Sequence, residues 1–242
     1  SRTDEHKNQA HFVDQANVEY SRDIEPSWTA GLKDSYYMQM MSNIRRYKGI
    51  NAVSSLQKQK TIMHPSDWNK AVALYEDYTG DILHRNHPGA QSDPQITYAN
   101  NSGRNDLKTI KLIADPHALH FYVSTVDKLS EKIGENWMTL WLNTDQSYAS
   151  GWYGYDFRVI AGNRLQQFKQ GFWQDLKLVT YKAQNNELVV RIPYENLNMG
   201  AGSSNIEFKW SDNMLKADPL DWYLNGDAAP GGRLNLTVSI ID

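Results

Sequence analysis

Hydrophobic and polar residues alternate with a period of two over most of the chain from about residue 67 onward. Successive side chains of a β-strand point to opposite faces of a sheet, so this pattern predicts strands with one buried face. The predicted inward positions, strand by strand, are Leu119, Phe121, Val123; Met138, Leu140, Leu142; Tyr155, Phe157, Val159; Leu188, Val190, Ile192; Ile206, Phe208, Trp210; and Leu234, Leu236, Val238, Ile240. Gly, Asn and Asp turns separate these short strands, and no strand–helix alternation is present. The pattern therefore predicts an all-β fold, an antiparallel, jelly-roll-like β-sandwich.

The first 66 residues follow a different pattern. Within DSYYMQMMSNIRRYKGI, apolar side chains recur at spacings of three and four, at Tyr37, Met40, Met41, Ile44 and Tyr47. This spacing predicts a short amphipathic α-helix that Asp34 or Ser35 begins and Gly49 ends. The following segment, NAVSSLQKQKTIMHPSD, reads as a linker. We therefore predict a helical N-terminal segment with its linker over residues 1–66 and a β-sandwich domain over residues 67–242.

Composition removes several classes of function. The 242-residue chain carries 25 basic and 28 acidic residues, for a net charge of −3, which is not the footprint of a nucleic-acid-binding protein. No apolar run approaches the roughly 18 residues of a membrane span, so we expect no membrane insertion. Cysteine is absent, which excludes disulfides, thiol catalysis and Cys-ligated zinc. The polar start, SRTDEHKNQ, is typical of a fragment cut from a longer chain.

Several aromatic residues fall where a two-sheet core does not require them. Trp137 and Trp141 alternate with the aliphatic residues of their strand, and Trp152 lies between glycines in SGWYGYDF. Aromatic rings outside a core can stack on the C–H faces of sugars, while a guanidinium reaches hydroxyl, carboxylate or sulfate oxygens. The alternative is that these rings pack as a second core layer. We predict a ligand-binding surface made of Trp141, Trp152, Tyr153, Arg158 and Trp173.

Loops rich in Asp and Asn suggest a metal site. YTGDILHRNHPG and NNSGRND supply Asp81 and Asp106 among other hard oxygen donors, which calcium prefers. The competing explanation is turn chemistry, because Asp and Asn side chains bond their own backbone. His84 and His87 are candidate zinc ligands but have no clear third partner in the sequence.

Three acidic residues near the N-terminus are candidates for catalysis. Glu19, Asp23 and Glu25 lie within EYSRDIEP, and glycoside hydrolysis needs two carboxylates that face each other across a cleft. The same carboxylates could instead pair with nearby arginines. No nucleophile-elbow, P-loop or HExxH motif occurs in the chain.

The stretch DPLDWYLNGDAAPGGRLN near the C-terminus combines turn formers with aromatic residues. Asn225-Gly226-Asp227 predicts a turn that delivers the last strand, and we expect Asp212 or Asp227 to hold Arg233. We interpret this motif as mainly structural. Facing a ligand is the less favoured alternative for Trp222 and Tyr223.

A set of motifs resembles a known family. YTGDILHRN, SGRNDL, NWMTLWLNTD, GWYGYDFRV, FKWSDN and DWYLNGDAAPGGRLN, in this order, resemble the C-terminal β-sandwich domain of secreted polysaccharide-degrading proteins of the Bacteroidota. That domain is similar in fold to family 9 carbohydrate-binding modules. The N-terminal part looks like the closing strand and helix of the (β/α)-barrel hydrolase domain that usually precedes it. The resemblance implies sugar binding, with paired Trp rings in family 9, and often structural calcium. It also implies a secreted or cell-surface bacterial location, and it assigns no Trp pair to positions here.

We therefore expect a non-catalytic carbohydrate-binding module that directs a glycoside hydrolase domain of the same chain to polysaccharide. Arg158, Arg164 and Lys169 near the aromatic residues favour a sulfated or uronic-acid polymer over a neutral one. Two alternatives stay open. In the first, the chain is a hydrolase fragment that uses the N-terminal carboxylates. In the second, it is a structural accessory domain without glycan binding.

Overall fold

The computed structural model describes residues 54–80, 82, 85–88, 97–101, 103–200, 202, 204–215, 219, 221–231 and 234–242. In chain order the strands are β1 (Ser54–Gln57), β2 (Tyr75–Glu76), β3 (Arg85–Pro88), β4 (Thr97–Asn100), β5 (Leu107–Ala114), β6 (Ala118–Thr125), β7 (Thr139–Asn143), β8 (Phe157–Ile160), β9 (Arg164–Lys169), β10 (Phe172–Leu178), β11 (Thr180–Gln184), β12 (Glu187–Pro193), β13 (Ser204–Asp212), β14 (Asp227–Ala229) and β15 (Leu236–Ile241). Within the described residues the helical elements are short: α1 (Asp221–Leu224) and two 3-10 helices, Pro65–Asn69 and Tyr194–Leu197. The regular secondary structure of the described part is therefore mostly β-strand.

Two sheets pack face to face, which confirms the predicted antiparallel sandwich. The larger sheet has the strand order β1-β15-β13-β7-β8-β9-β10, with β14 also paired to β13. The smaller sheet has the order β11-β12-β6-β5-β2, and β3 and β4 form a separate hairpin. Described neighbours are antiparallel except β1, which runs parallel to β15 at the edge of the larger sheet. A sandwich of this kind buries the inner face of each sheet.

The predicted period of two describes the core well. Leu119, Phe121 and Val123 of β6 are fully buried and lie between the sheets. Phe121 meets Phe208 of the larger sheet edge to face, with 5.1 Å between ring centroids. The other predicted core positions of β12, β13 and β15 are buried in the same cluster, whereas Leu234 precedes β15 and is only half-buried.

Trp137 was predicted to share the face of Trp141, and this is wrong. Met138 has a left-handed φ of 47°, which interrupts the alternation just before β7. As a result, Trp137 and Met138 both pack in the core, and the Trp137 indole N–H donates to the Ser130 carbonyl at 3.2 Å. Alternation then resumes normally from Thr139.

Tyr155 was predicted to face the core with Phe157 and Val159, and this is also wrong. Strand β8 begins only at Phe157. Before it, Trp152 and Tyr155 exchange both backbone hydrogen bonds around a two-residue turn with positive φ at Tyr153 (51°) and Gly154 (95°). This is the geometry of a tight hairpin turn, and it sends Tyr155 to the outer side of the larger sheet.

Residues 51–67 were predicted to form a linker, but part of this segment is regular structure. Strand β1 belongs to the larger sheet, and the 3-10 helix Pro65–Asn69 brings Trp68 to within 5.1 Å of the Tyr122 ring on the smaller sheet. The predicted helix between residues 34 and 49, and the carboxylates of Glu19, Asp23 and Glu25, lie outside the described residues. The division of the chain at residue 66 stays a prediction. No helix in the described part is long and apolar enough to cross a membrane.

Candidate functional site

One row of side chains crosses the outer face of the larger sheet. Strand register aligns Lys209 of β13, Trp141 of β7, Arg158 of β8, Gln166 of β9 and Asp175 of β10. Lys209, Trp141, Arg158 and Gln166 alternate with core residues of their strands, so they lie on the side that faces away from the smaller sheet. Asp175 pairs with Gln166 and continues the row on β10. Each of five neighbouring strands therefore contributes one polar, charged or aromatic side chain to this row.

An aromatic cluster covers this row, and we call it the outer aromatic cluster. The Trp141 and Trp152 rings stack with 4.9 Å between centroids and 22° between planes. Trp222, carried by α1, meets Trp141 edge-on at 5.7 Å, and Trp173 of β10 meets it at 6.0 Å. The cluster comprises Trp141, Trp152, Tyr155, Met214, Trp222 and Ala228, with Phe168 and Trp173 packed against it. The fold buries its main core without these residues, so the cluster is additional to what the sandwich requires.

The hairpin that carries Trp152 depends on glycine. Gly151 has φ +64°, and a Cβ atom there would lie 2.3 Å from the Tyr155 carbonyl oxygen. Only glycine therefore permits the close approach of the two hairpin arms. The turn leaves Tyr153 at the tip with 53% of its surface exposed and its ring 5.1 Å from that of Trp152.

The loop before α1 is held by Asp221. Its carboxylate accepts hydrogen bonds from the Leu215 backbone N–H and from the Asn225 side chain. These bonds join the ends of residues 215–225 and so position Trp222 over the sheet. Trp222 is only 6% exposed and forms one wall of the cluster.

Arg158 lies between two indole rings. The centre of its guanidinium is 4.5 Å from the Trp173 ring centroid and 5.7 Å from that of Trp141. Its Nε donates to Gln166 Oε1 at 2.7 Å, and Gln166 Nε2 donates in turn to Asp175 Oδ1 at 2.7 Å. The terminal nitrogens of Arg158 donate to no side chain or carbonyl among the described residues. Burial lowers the pKa of Arg158 to about 10, which still leaves it charged at neutral pH.

A pocket of about 430 Å³ opens beside Arg158. Its lining residues are Glu135, Asn136, Thr139, Trp141, Arg158, Ile160, Met214 and Leu215. Asn136 fixes one wall, because its side chain donates to the Met214 carbonyl at 2.7 Å. The indole N–H groups of Trp173 and Trp222 are buried and meet no acceptor in the described part of the chain. Neither indole lines the pocket, so these two donors belong to the aromatic cluster next to it.

Lys209 ends the row beneath the cluster. It is fully buried, and its Nζ lies 4.0 Å from the Trp222 ring centroid. Burial lowers the pKa of Lys209 to about 7, while the charges of Asp77 and Asp227 act in the opposite direction. An amine in this position supports the Trp222 ring by a cation–π contact while it is protonated.

The structure brings the five predicted ligand residues together on one outer face. The prediction that Trp141, Trp152 and Arg158 share a surface is confirmed, but the rings are less accessible than a stacking platform requires, at 3% for Trp141 and 9% for Trp152. That these residues bind a ligand stays a prediction. Gln166 and Lys209 were not predicted as site residues, although both occupy outward positions of the alternating pattern, which the period of two could have revealed.

The proposed metal site is only partly within the described residues. Asp81 and His84 lie outside them, as does the His87 side chain. Asp106 is buried, and its Oδ2 accepts the Gly80 backbone N–H at 2.7 Å, which anchors the start of the loop that contains Asp81. In the part of the chain that the structure describes, no three His, Asp or Glu side chains cluster as metal ligands. Calcium therefore stays a prediction.

Arg233 also lies outside the described residues, so its expected partner is untested. One of the two acids suggested for it, Asp212, accepts a hydrogen bond from Arg104 Nε at 2.8 Å. The same carboxylate accepts the Met138 backbone N–H at 2.8 Å.

Comparison with solved structures finds family 9 carbohydrate-binding modules. One, from Caldicellulosiruptor kristjanssonii in complex with cellotriose, is 12% identical, covers 78% of this chain and 93% of its own length, and superposes with a TM-score of 0.39. Another from the same organism, in complex with glucose, gives the same identity and TM-score over 77% and 94%. No family model and no curated protein sequence matches the chain. A likeness of this extent carries no assignment of function.

Proposed function

We propose that the chain binds carbohydrate through the outer face of the larger sheet. The observation that carries the proposal is Arg158, a guanidinium held between Trp141 and Trp173 with its terminal nitrogens directed at no acceptor among the described residues. Arg158 is half-buried and its terminal nitrogens stay open to solvent, so a ligand that supplies oxygen atoms can reach them. Because Trp141 and Trp152 are buried, the exposed Tyr153 ring at the hairpin tip is the aromatic surface that suits the C–H face of a sugar ring.

The size and walls of the pocket support a small saccharide. Its volume of about 430 Å³ lies within the range typical of small-molecule sites. Trp141 and Met214 provide apolar surface, while Thr139 and Asn136 provide polar atoms that suit hydroxyl groups. Tyr153, exposed at the hairpin tip, extends the aromatic surface beyond the cluster.

The donors favour an acidic sugar. Hydroxyl groups both donate and accept hydrogen bonds, whereas a carboxylate or sulfate only accepts. Two buried groups of the cluster that meet no acceptor in the described part of the chain are donors, the indole N–H groups of Trp173 and Trp222, and the solvent-accessible terminal nitrogens of Arg158 are donors as well. The neighbouring Arg164 is already paired with Glu135 at 2.8 Å, so Arg158 is the cation left for a ligand. We therefore propose a uronate or sulfated unit as the preferred ligand.

A non-catalytic role fits the acidic groups near the pocket. Glu135 bonds Arg164, and Asp175 bonds Gln166, so neither carboxylate is placed as one of a facing catalytic pair. The chain would then act as a binding module for a glycoside hydrolase domain of the same protein, outside the cell or at its surface. A hydrolase fragment that uses Glu19, Asp23 or Glu25 would place its catalytic groups outside the described residues.

Calcium is a further part of the proposal. The Gly80 backbone N–H donates a hydrogen bond to Asp106, and Asp81 follows Gly80 directly in the sequence. These two carboxylates, with loop carbonyls, would hold a structural ion whose effect is to order the loop. The ion would have no role in the binding of sugar at the outer face.

Affinity electrophoresis through gels with neutral, uronate-containing or sulfated polysaccharides tests the proposal. We expect retardation of the unmodified chain in acidic gels and loss of roughly 10- to 100-fold in affinity for Arg158→Ala, since a charge-assisted hydrogen bond contributes about 1.5–3 kcal/mol. Arg191→Ala, the same charge change on β12 of the smaller sheet, is the matched control and should keep full retardation.

The outcomes separate the two levels of the proposal. Absence of retardation in every gel would leave the structural accessory role as the better explanation. Equal retardation in neutral and acidic gels would refute the preference for acidic sugars while leaving carbohydrate binding in place. Equal losses for Arg158→Ala and Arg191→Ala would show that the site lies elsewhere.

A further inference from the structure

A second groove, of about 640 Å³, lies beside β1 at the edge of the larger sheet. Leu56, Leu74 and Leu112 line it, and the first two pack against the main core while remaining only half-buried. Val72 also lines the groove and is 81% exposed. The core thus reaches the surface at this groove, which is a common property of surfaces that another element covers.

The edge of β1 faces the same region. Strand β1 pairs with β15 through residues Ser54 to Gln57, and no strand in the described ranges pairs with its other side. Such an edge next to exposed apolar side chains invites an additional element. The question is which segment or partner supplies it.

The chain itself delivers a segment to this place. Ser54, the first described residue of β1, lines the groove, so the preceding residues enter β1 there. The sequence predicts an amphipathic helix that ends at Gly49, five residues before Ser54. Because an extended residue spans at most about 3.6 Å, the end of that predicted helix lies within about 18 Å of Ser54.

We propose that residues 35–48 cover this groove, with Met40, Met41 and Ile44 against Leu56 and Leu74. Methionine side chains adapt to irregular apolar surfaces, which suits a groove with both apolar and polar lining. A short tether also gives the segment an effective concentration in the millimolar range, which favours it over a second copy of the chain or a separate partner. This proposal does not depend on carbohydrate binding.

Engineered cysteines test the contact without background, because the chain has no cysteine of its own. The double variant Ile44→Cys and Val72→Cys places one cysteine on the apolar face of the predicted helix and the other in the groove. Its matched control, Ser42→Cys with Val72→Cys, starts from the opposite side of the predicted helix. Both are treated with a short bis-maleimide and analysed on denaturing gels and by peptide mass. We expect intramolecular cross-linking of the Ile44 pair to be at least about tenfold faster than that of the Ser42 pair.

Equal rates for the two pairs would overturn the proposal, as would cross-links that join two chains into a dimer. Thermal unfolding gives a second readout in the whole chain. Ile44→Asp should lower the midpoint by about 3 °C or more, whereas Ser42→Asp should leave it unchanged. Identical midpoints for the two Asp variants would also contradict the proposed contact.

Discussion

Replacement of Lys209 by Met tests whether the outer face is as dry as the structure indicates. The Lys209 amino group is fully buried beneath Trp222, and burial lowers its pKa from 10.5 to about 7. Between these two values the unfolded chain holds one proton more than the folded chain at this residue. By linkage, the free energy of unfolding must then rise with pH, by about 1.4 kcal/mol per pH unit.

The sign follows from both ends of the titration. Below about pH 7, Lys209 is protonated in both states, so the cost of burying its charge is fully present and independent of pH. As pH rises toward 10.5 the folded state has already lost the proton, and that cost disappears. Over the whole window the change amounts to at most about 5 kcal/mol, a large fraction of the stability of a single domain.

Urea unfolding followed by tryptophan fluorescence, at steps between about pH 7 and pH 9.5, measures this slope. Lys209→Met keeps the length of the side chain and its contact with Trp222 but has no proton to exchange, so the slope should vanish. Lys182→Met, at an exposed lysine of β11, is the matched control and should keep it. Because Asp77 and Asp227 also lose a neighbouring charge in Lys209→Met, the slope is the readout rather than the absolute stability. An equal slope in the unmodified chain and Lys209→Met would refute the reasoning.

Three further changes test the site. Trp152→Ala should lower the free energy of unfolding by about 3 kcal/mol in urea titrations and also abolish retardation in acidic gels, because the ring is both buried and part of the cluster; unchanged stability would contradict its packing on Trp141. Gln166→Leu removes the acceptor of Arg158 Nε and should weaken retardation about tenfold, with Gln167→Leu, the neighbour on the opposite face of β9, as a control that should not. Calcium should raise the melting midpoint and a chelator lower it, and Asp106→Asn should remove this difference; an unchanged midpoint together with no metal by elemental analysis would end the calcium proposal.

The sequence by itself predicted β6, β7, β8, β12, β13 and β15 and most of their buried faces, but it did not predict β1, β5, β9, β10 or β11. The alternation in ELVVRIPY placed Leu188, Val190 and Ile192 in the core, and the structure buries all three. The same rule placed Trp141 and Arg158 on the outer face, because side-chain direction along a strand is a local property of the backbone. Two assignments failed where that local rule was interrupted, at Trp137 and at Tyr155.

Only the tertiary structure decided what the outer face becomes. The left-handed φ of Met138 has no local signal, since its backbone N–H is held by Asp212, 74 residues away. The burial of Trp152 likewise depends on a distant element. The Trp222 ring, carried by α1, lies against it with 5.9 Å between the ring centroids.

The neighbours of Arg158 in the row across the outer face could not be predicted from the sequence either. Lys209, Gln166 and Asp175 join it only through the strand order β13-β7-β8-β9-β10, which long-range pairing sets and no stretch of sequence encodes alone. A periodic pattern assigns a side chain to a face, whereas its neighbours, its burial and hence its charge state follow from which strands lie beside it.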